Sequence, residues 1–430
     1  MVLDWLGQGL VALTLLGCMG LAVVILGMLY LLGLHLALRR EARALESRRL
    51  AEPLPPDSAL PHVVVQIPVF DEGAIVERAI ASAARLDWPS GKLHIQVCDD
   101  STDATTELAL AAAQRAGTVG ADVAVIRRAD RSEFKAGALK NAMAQTDHAY
   151  FAILDVDFMP APDFLRRCMA FLLADPKLAF VQARPDFLNA DENWLTRAQT
   201  ILLDYHYGFE QATRSWANHL LPFNGSCGIW RRAAIEAAGG WQGDTLLEDW
   251  DLSHRAWMKG WRGMFINSVT APGELPIGLG VWMSQQRRWA AGGGQVALKI
   301  LPAFRDRSLS LREYWNALSP LGTWFAYAAF PATLIVAVVA MLLRPSWMLG
   351  LTVYAAFAGA AVVLFVLMLV AGQTVRRGTS FARFVLDFPT VLLLSLYISW
   401  ANLRSLPATL RGRPSVFVRT PKRGTIPNPP

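Results

Sequence analysis

The chain has 430 residues, of which 53% are hydrophobic and only 18% charged, with a net charge of +6. The apolar residues are gathered into long runs near the two ends, which excludes an ordinary soluble enzyme. Six basic residues from Arg404 onward (Arg404, Arg411, Arg413, Arg419, Lys422 and Arg423) face no acid and account for the whole net charge, so a nucleic-acid partner has little support and the tail points instead to an anionic membrane surface.

Residues 5–38 contain no Asp, Glu, Lys or Arg, and neither do 316–343 or 345–375. Each exceeds the ~20 residues of helix that cross a bilayer. The first is longer than the ~7–15-residue core of a secretory signal and has no basic segment before it, so 1–40 is expected to persist as an N-terminal transmembrane helix. Arg39, Arg40, Arg43, Arg48 and Arg49 follow it against Glu41 and Glu46, which places the next segment in the cytoplasm by the positive-inside tendency. Cys18, Cys98, Cys168 and Cys227 follow no metal-ligand spacing and read as small buried hydrophobes in a reducing compartment.

From residue 62 the pattern alternates strand and helix. Strands are predicted at 62–69, 93–98, 121–126 and 150–154, with helices at 74–86, 103–116 and 134–145 between them. Four strands at spacings near 30 residues predict an α/β domain with a largely parallel sheet covered by helices. Asp99 and Asp100 end the second strand, and Asp155 and Asp157 follow the fourth, where open α/β sheets bind ligands. A D-x-D pair is a plausible Mg²⁺ or Mn²⁺ site because hard cations take oxygen ligands. A solvated turn is the competing account of one such pair, and the second acidic pair favours the metal. Neither a P-loop nor a G-x-G-x-x-G fingerprint is present, so a phosphate is expected to be held by metal and side chains. Lys135 near a helix start can add positive charge, with Gly137 allowing close approach of a ligand; a surface lysine and a packing glycine are the alternative.

A strand is expected at 178–187, then a helical run in which Trp194, Ile201, Leu202, Tyr205 and Phe209 read as core and His206 as a hydrogen-bonded structural residue rather than a ligand. Small residues from Asn224 to Gly228 form a loop that a sugar or phosphate can approach, or a simple turn. Thr245 and Glu248 have capping-box spacing, which puts Glu248 and Asp249 in the first turn of a helix whose dipole favours their ionised forms. An ionised carboxylate there can accept a proton from an attacking hydroxyl. Asp251 faces elsewhere on that helix.

Residues 276–304 read as one or two helices lying in the membrane interface. Trp282 and Met283 suit lipid contact, whereas Gln285 to Trp289 can equally line the floor of a site, an arginine for a phosphate oxygen and an indole for a sugar face. Beyond two spans, 388–403 has 16 uncharged residues including Pro389. It reads either as a third crossing, which carries the basic tail outside, or as a short hairpin that keeps the tail inside with Arg376 and Arg377.

The segments VVQIPVFDE (64–72), IQVCDDSTD (95–103), KAGALK (135–140), LDVDF (154–158), FNGSCGIWR (223–231), LEDWDL (247–252) and QQRRW (285–289) occur in one order over roughly 62–300. In these the chain resembles the processive, membrane-embedded family 2 glycosyltransferases, above all the cellulose-synthase-like A group, which makes mannan and glucomannan backbones, and its bacterial relatives. The resemblance implies a GT-A type nucleotide-sugar-binding domain at 41–272. It also implies interfacial helices with the Q-x-x-R-W motif at 273–315, a transmembrane region at 316–403 and a basic cytoplasmic tail at 404–430. By the same resemblance, Asp100 with Asp99 beside it contacts the nucleotide, Lys135 helps hold it, and Asp155 and Asp157 coordinate a divalent Mg²⁺ or Mn²⁺. Asp249 is the general base, Glu248 supports its geometry, Arg288 lies near the diphosphate, and Trp289 and Gln285 meet the acceptor. The expected reaction is inverting transfer of a hexose from UDP-glucose or GDP-mannose to a growing β-linked polysaccharide. A lipid acceptor is the alternative, and a homodimer or an export partner stays open. The implied location is a bacterial inner membrane with the catalytic domain cytoplasmic.

Overall fold

The computed structural model describes residues 2–305, 309–343, 348–373 and 381–411. The chain begins with α1 (Val2–Ala51), followed by β1 (Val63–Val69), α2 (Ile75–Ala84), β2 (Leu93–Asp99), α3 (Thr105–Thr118), β3 (Asp122–Arg127), α4 (Phe134–Met143) and β4 (Tyr150–Ile153). Then come α5 (Phe164–Ala174), β5 (Leu178–Phe187), α6 (Trp194–Asp204), a π-helical segment Tyr205–Gln211 and α7 (Ala212–Trp216). The domain closes with β6 (Gly228–Arg231), α8 (Arg232–Ala237), α9 (Glu248–Met258) and β7 (Arg262–Gly273). Four long helices follow: α10 (Leu279–Arg305), α11 (Leu311–Leu343), α12 (Met348–Gln373) and α13 (Phe381–Leu410).

The sheet has the order β3-β2-β1-β4-β6-β5-β7, with β6 antiparallel to both β4 and β5 and the other pairs parallel. Val63, Val64, Val65, Ile67 and Val69 of β1 are all buried, as a strand covered on both faces requires. One apolar layer joins the sheet to α2, α3 and α5; the other joins it to α4, α8 and α9. The four predicted strands and the three helices between them are present with ends shifted by a few residues. Helix α5 and strand β7 were not anticipated. Strand β7 breaks register with β5 at two places, so its side chains do not alternate in the way a sequence pattern can show.

Several boundaries differ from the expectations. Helix α1 does not stop at residue 40 but runs to Ala51, and its last turns dock on the sheet: Glu46 Oε1 accepts from Ser268 N (2.7 Å) and Ser268 Oγ (2.5 Å) at β7. Its apolar part touches α7 and its neighbourhood through His35 Nδ1···Thr213 Oγ1 (2.8 Å) and Tyr30 Oη···His219 Nε2 (3.2 Å). The interfacial region is a single 27-residue helix, α10. Region 388–403 forms no short hairpin, because it lies inside α13, a continuous helix of 30 residues. Among the described residues, three helical stretches are long and apolar enough to cross a membrane, Gln8–Ala51, Leu351–Gln373 and Phe381–Leu410, and Ala329–Leu343 of α11 is a shorter apolar stretch. Arg376, Arg377 and the tail from 412 on lie outside the described residues.

The membrane helices pack directly on the α/β domain. Asn193 caps α6 in a full capping box, its Oδ1 accepting from Leu195 N (2.8 Å) and Thr196 N (2.9 Å) while Thr196 Oγ1 accepts from Asn193 N (3.0 Å). Trp194, expected in the core, is 49% exposed at this helix start. Leu195, Ala198 and Ile201 of α6 pack with Trp282 of α10 and with Phe384, Val391 and Leu394 of α13. Arg197 Nε pairs with Asp387 across the α6–α13 contact (3.0 Å). Helix α12 lies on the π-helical segment at Gly372, where a Cβ would stand 2.7 Å from both the Asp204 carbonyl oxygen and Tyr205 Cα. Overpacking of this kind costs about 1–3 kcal/mol or forces a shift. Gly372→Val is therefore expected to lower the unfolding temperature of the detergent-solubilised protein, while the same change at Gly359, which has no neighbour within 4 Å, is not; equal Tm values would disprove this contact.

Candidate active site

The acidic residues gather at the carboxyl edge of the sheet, where β1, β2 and β4 end. Asp99 and Asp100 take different directions there. Asp99 is 1% exposed, its Oδ1 accepting from Ser101 N (2.9 Å) and its Oδ2 from Thr106 Oγ1 (2.7 Å). These bonds shape the turn into α3, and Arg127 Nε lies 3.7 Å from Asp99 Oδ2. Asp100 receives both ends of a guanidinium, Arg128 Nε at 2.7 Å and Nη2 at 2.6 Å. This bidentate bond raises the Arg128 pKa still further. Arg128 stands just past β3 and, with Arg131 stacked 3.3 Å above the Phe70 ring, forms a basic rim that the sequence reading did not single out.

Lys135 enters the site from α4. Glu133 and Phe134 both have positive φ (58° and 45°), an uncommon backbone for such residues, and this kink turns the first turn of α4 inward. Gly137 serves that kink and not a ligand, since a Cβ there would collide with Arg128 and the Ser132 carbonyl. Lys135 Nζ donates to Asp155 Oδ1 (2.6 Å) and to the Gly225 carbonyl (2.8 Å), and lies 4.0 Å from Glu248 Oε1. Burial works against its charge, but Asp155 and Glu248 outweigh it and raise the pKa. It is no surface lysine.

The loop 222–227 crosses beneath. Gly225 has φ +77°, and a Cβ there would sit 3.1 Å from Asp249 Oδ2 and 3.5 Å from Lys135 Nζ. Only glycine lets these groups converge. Ser226 Oγ accepts from Asp155 N (2.8 Å), tying the loop to the end of β4. Asp155 has 37% of its side chain exposed, whereas Asp157 is buried.

Glu248 and Asp249 open α9 as expected, but no capping box forms: Leu247 occupies the cap position without a side-chain bond, and Thr245 lies two residues before it. The expectation that the helix start favours the ionised form fails for Asp249. Burial first, then repulsion by Glu248, pushes Asp249 up to about 8, and burial raises Glu248 as well. Lys135 opposes both shifts. Desolvation here exceeds what the start of an 11-residue helix returns to two adjacent carboxylates. Asp251 turns to the other side, where its Oδ2 accepts from Arg255 Nη2 (2.7 Å).

Helix α10 closes the site. Gly292 lies against Leu247, where a Cβ would be 2.6 Å from Leu247 Cγ. Gln295 Oε1 accepts from Leu246 N (2.9 Å), and Lys299 Nζ reaches Asp244 Oδ1 (2.6 Å) and Asp251 Oδ1 (3.0 Å). The helix that carries QQRRW thus holds the start of α9. Arg288 is half-buried; desolvation lowers its pKa, and the charges of Glu248, Asp155 and Asp249 only partly offset that. Trp289 keeps 37% exposure and, with Gln285, lines a cavity of about 300 Å³ bounded by the π-helical segment, α10, α11 and α13. Tyr205, Trp250, Trp282 and Tyr327 supply aromatic walls, and Asp249 stands in the same wall. Trp282 is 2% exposed against Tyr397, so it packs on protein and not on lipid.

His206 lines this cavity too, bonded through Nδ1 to Glu210 (3.1 Å) and through Nε2 to Asn224 (2.9 Å). Burial alone would raise Glu210, but Arg214 and His206 hold it at about 2. This anchored imidazole joins the π-helical segment to the loop under Asp249, the hydrogen-bonded structural role expected of it.

For a divalent metal the fit is chemical. Asp155 and Asp157 offer an oxygen-only donor set of the kind Mg²⁺ and Mn²⁺ take, and the Lys135 ammonium already stands as a cation against Asp155.

Residues 61–292 match the family described as "Glycosyltransferase like family 2". Glucomannan 4-beta-mannosyltransferase 7 of Arabidopsis thaliana is 39% identical over 266 residues, 61% of this chain and 48% of that protein. Glucomannan 4-beta-mannosyltransferase 9 of the same plant is 34% identical over 374 residues, 86% of this chain and 69% of that protein. The chain spans about half the length of the first of these relatives. Among solved structures, the mannosyltransferase PcManGT from Pyrobaculum calidifontis in complex with GDP-Man and Mn²⁺ superposes with a TM-score of 0.55 at 21% identity, covering 93% of this chain and 98% of that one. That likeness is one of fold, a GT-A-like α/β domain.

The raised Asp249 pKa has a stability consequence. The folded protein holds this proton up to about pH 8 while the unfolded chain releases it near 3.8. Stability is therefore greatest below that lower value, falls through the window and levels off above about 8. Asp249→Asn removes the loss, so its gain in unfolding temperature should be larger at pH 8 than at pH 5; an equal gain at both would contradict the shift.

Proposed function

The chain belongs to the family 2 glycosyltransferases, and from that we propose that it transfers mannose from GDP-mannose to the end of a β-1,4-linked mannan or glucomannan. The observation that carries the reading is the placement of Asp249. It stands between the Lys135–Asp155 end of the cleft and an aromatic-walled cavity, the position of a base between a donor and a sugar acceptor. The names of the plant relatives support mannose over glucose. We further propose that the α/β domain faces the cytoplasm and that the membrane is a plasma membrane.

In this reading the basic rim around Arg128 and Asp100 receives the nucleotide, and Lys135 and Arg288 face the diphosphate. Asp155 and Asp157 would hold Mg²⁺ or Mn²⁺, which when bound neutralises charge on the leaving diphosphate. The acceptor sugar lies against Trp289, with Gln285 beside it. Its hydroxyl oxygen forms the bond to the anomeric carbon as the bond from that carbon to the diphosphate oxygen breaks. The hydroxyl proton passes to Asp249, and the electron pair leaves with the nucleoside diphosphate. One base and no covalent nucleophile give inversion, so an α-linked donor yields a β-linkage. Helix α10 covers the cleft and keeps water from the donor.

A base with pKa near 8 must be deprotonated to work. The value of kcat/KM is expected to rise with pH with its midpoint near 8 and to level off above it. Glu248→Gln removes a repelling carboxylate and should move that midpoint down; an unmoved midpoint would count against the pair. Asp249→Asn should reduce transfer by about 10²–10⁴-fold with donor binding kept, read as radiolabelled polymer from GDP-mannose. Chelation with EDTA should stop transfer, and Mg²⁺ or Mn²⁺ should restore it. Full rate in EDTA would remove the metal from the mechanism, and single-sugar products on lipid would replace the polysaccharide with a glycolipid.

A further inference from the structure

Three histidines meet at the opposite end of the sheet from the active site. His62 immediately precedes β1, His94 is the second residue of β2, and His148 stands two residues before β4. These three strands are adjacent and parallel, so their starts lie side by side. The seven residues of β1 separate the cluster from the catalytic edge by roughly 23 Å at ~3.3 Å per residue. Nothing in glycosyl transfer uses it.

The geometry is that of ligands around one point. A ring nitrogen from each histidine lies within 4.8 Å of the others. His62 Nδ1 and His94 Nε2 are 2.9 Å apart. The rings stack, with centroids at 4.7 Å for His62–His148 and 4.3 Å for His94–His148. Three metal–nitrogen bonds of about 2.0–2.1 Å in a tetrahedral arrangement put the nitrogens roughly 3.3–3.4 Å apart, so the nitrogens are within range and the nearly parallel rings must turn to aim their lone pairs at one ion. The other nitrogen of His94, Nδ1, lies 2.6 Å from Asp122 Oδ2, its neighbour in register on β3. A carboxylate accepting there fixes the tautomer that turns the Nε2 lone pair toward the cluster, the support that metal-ligating imidazoles carry in general.

We propose that His62, His94 and His148 form a surface site for Zn²⁺, clipping the starts of three adjacent strands together, with water completing the coordination. Imidazole nitrogen suits zinc and the other late first-row ions, whereas the carboxylates of Asp155 and Asp157 suit Mg²⁺ or Mn²⁺, so the two sites differ in the class of metal.

The test uses the full chain in detergent, purified without a polyhistidine tag and stripped with EDTA. Titration with Zn²⁺ should show one equivalent bound at micromolar or lower Kd, and Co²⁺ in its place should develop the visible absorption of a tetrahedral imidazole site. His94→Gln should weaken Zn²⁺ binding by more than 10-fold, and Asp122→Asn by about 10–100-fold. Folding of each variant is read from its elution and its unfolding temperature in metal-free buffer, with the exposed His62→Asn as the substitute if His94→Gln fails that check. No Zn²⁺ binding by the unaltered chain, or equal binding by the folded variants, would overturn the site.

Discussion

The constraint on which the rest of this structure depends is the burial of carboxylates with too few cations to balance them. The charges of Asp155, Glu248 and Asp249 act on Lys135 and Arg288; burial sets the direction of the shifts at Glu248, Asp249 and Arg288, whereas the acids override it at Lys135. Taking such charges out of water is costly unless geometry pairs them. Lys135 satisfies Asp155 at 2.6 Å and can only approach Glu248 at 4.0 Å, so Asp249 keeps a proton to about pH 8. The same shortage that destabilises the empty fold leaves a basic carboxylate and room for a metal dication.

Holding that arrangement falls to elements outside the sheet. Arg288 comes from α10, which lies along the α/β domain and is pinned to the loop before α9 by the Gly292 contact, Gln295 and Lys299. Helix α10 in turn packs with α6 and α13, and α12 rests on the π-helical segment that carries His206. The candidate membrane helices therefore pack against the candidate site as well as offering spans long enough to cross a bilayer. Helix α1 adds a second tie through Glu46 to β7.

Much of this was legible in the chain. Apolar runs marked β1, β2, β4 and β5, because strands buried on both faces are written largely in apolar residues, and alternation marked the edge strand β3. Acids at strand ends marked the site, because a parallel sheet has one functional edge. What escaped has equally physical reasons. Asp99 and Asp100 are neighbours whose side chains leave the backbone in different directions, and no spacing tells which one faces the cleft. Thr245 matches a capping box in letters, but helix α9 starts after Leu247. His62, His94 and His148 lie 32 and 54 residues apart in sequence and touch only because three parallel strands begin side by side.

The sequence by itself determined the fold class, the apolar helices and the chemical types at the sheet's carboxyl edge, since periodicity, composition and motif spacing are local properties of the chain. Tertiary structure decided the protonation of Asp249, the partial burial of Lys135 and Arg288, the continuity of α13 and the convergence of the histidines. Each of these depends on which distant segments exclude water from a given atom, and that is settled only when the chain is packed.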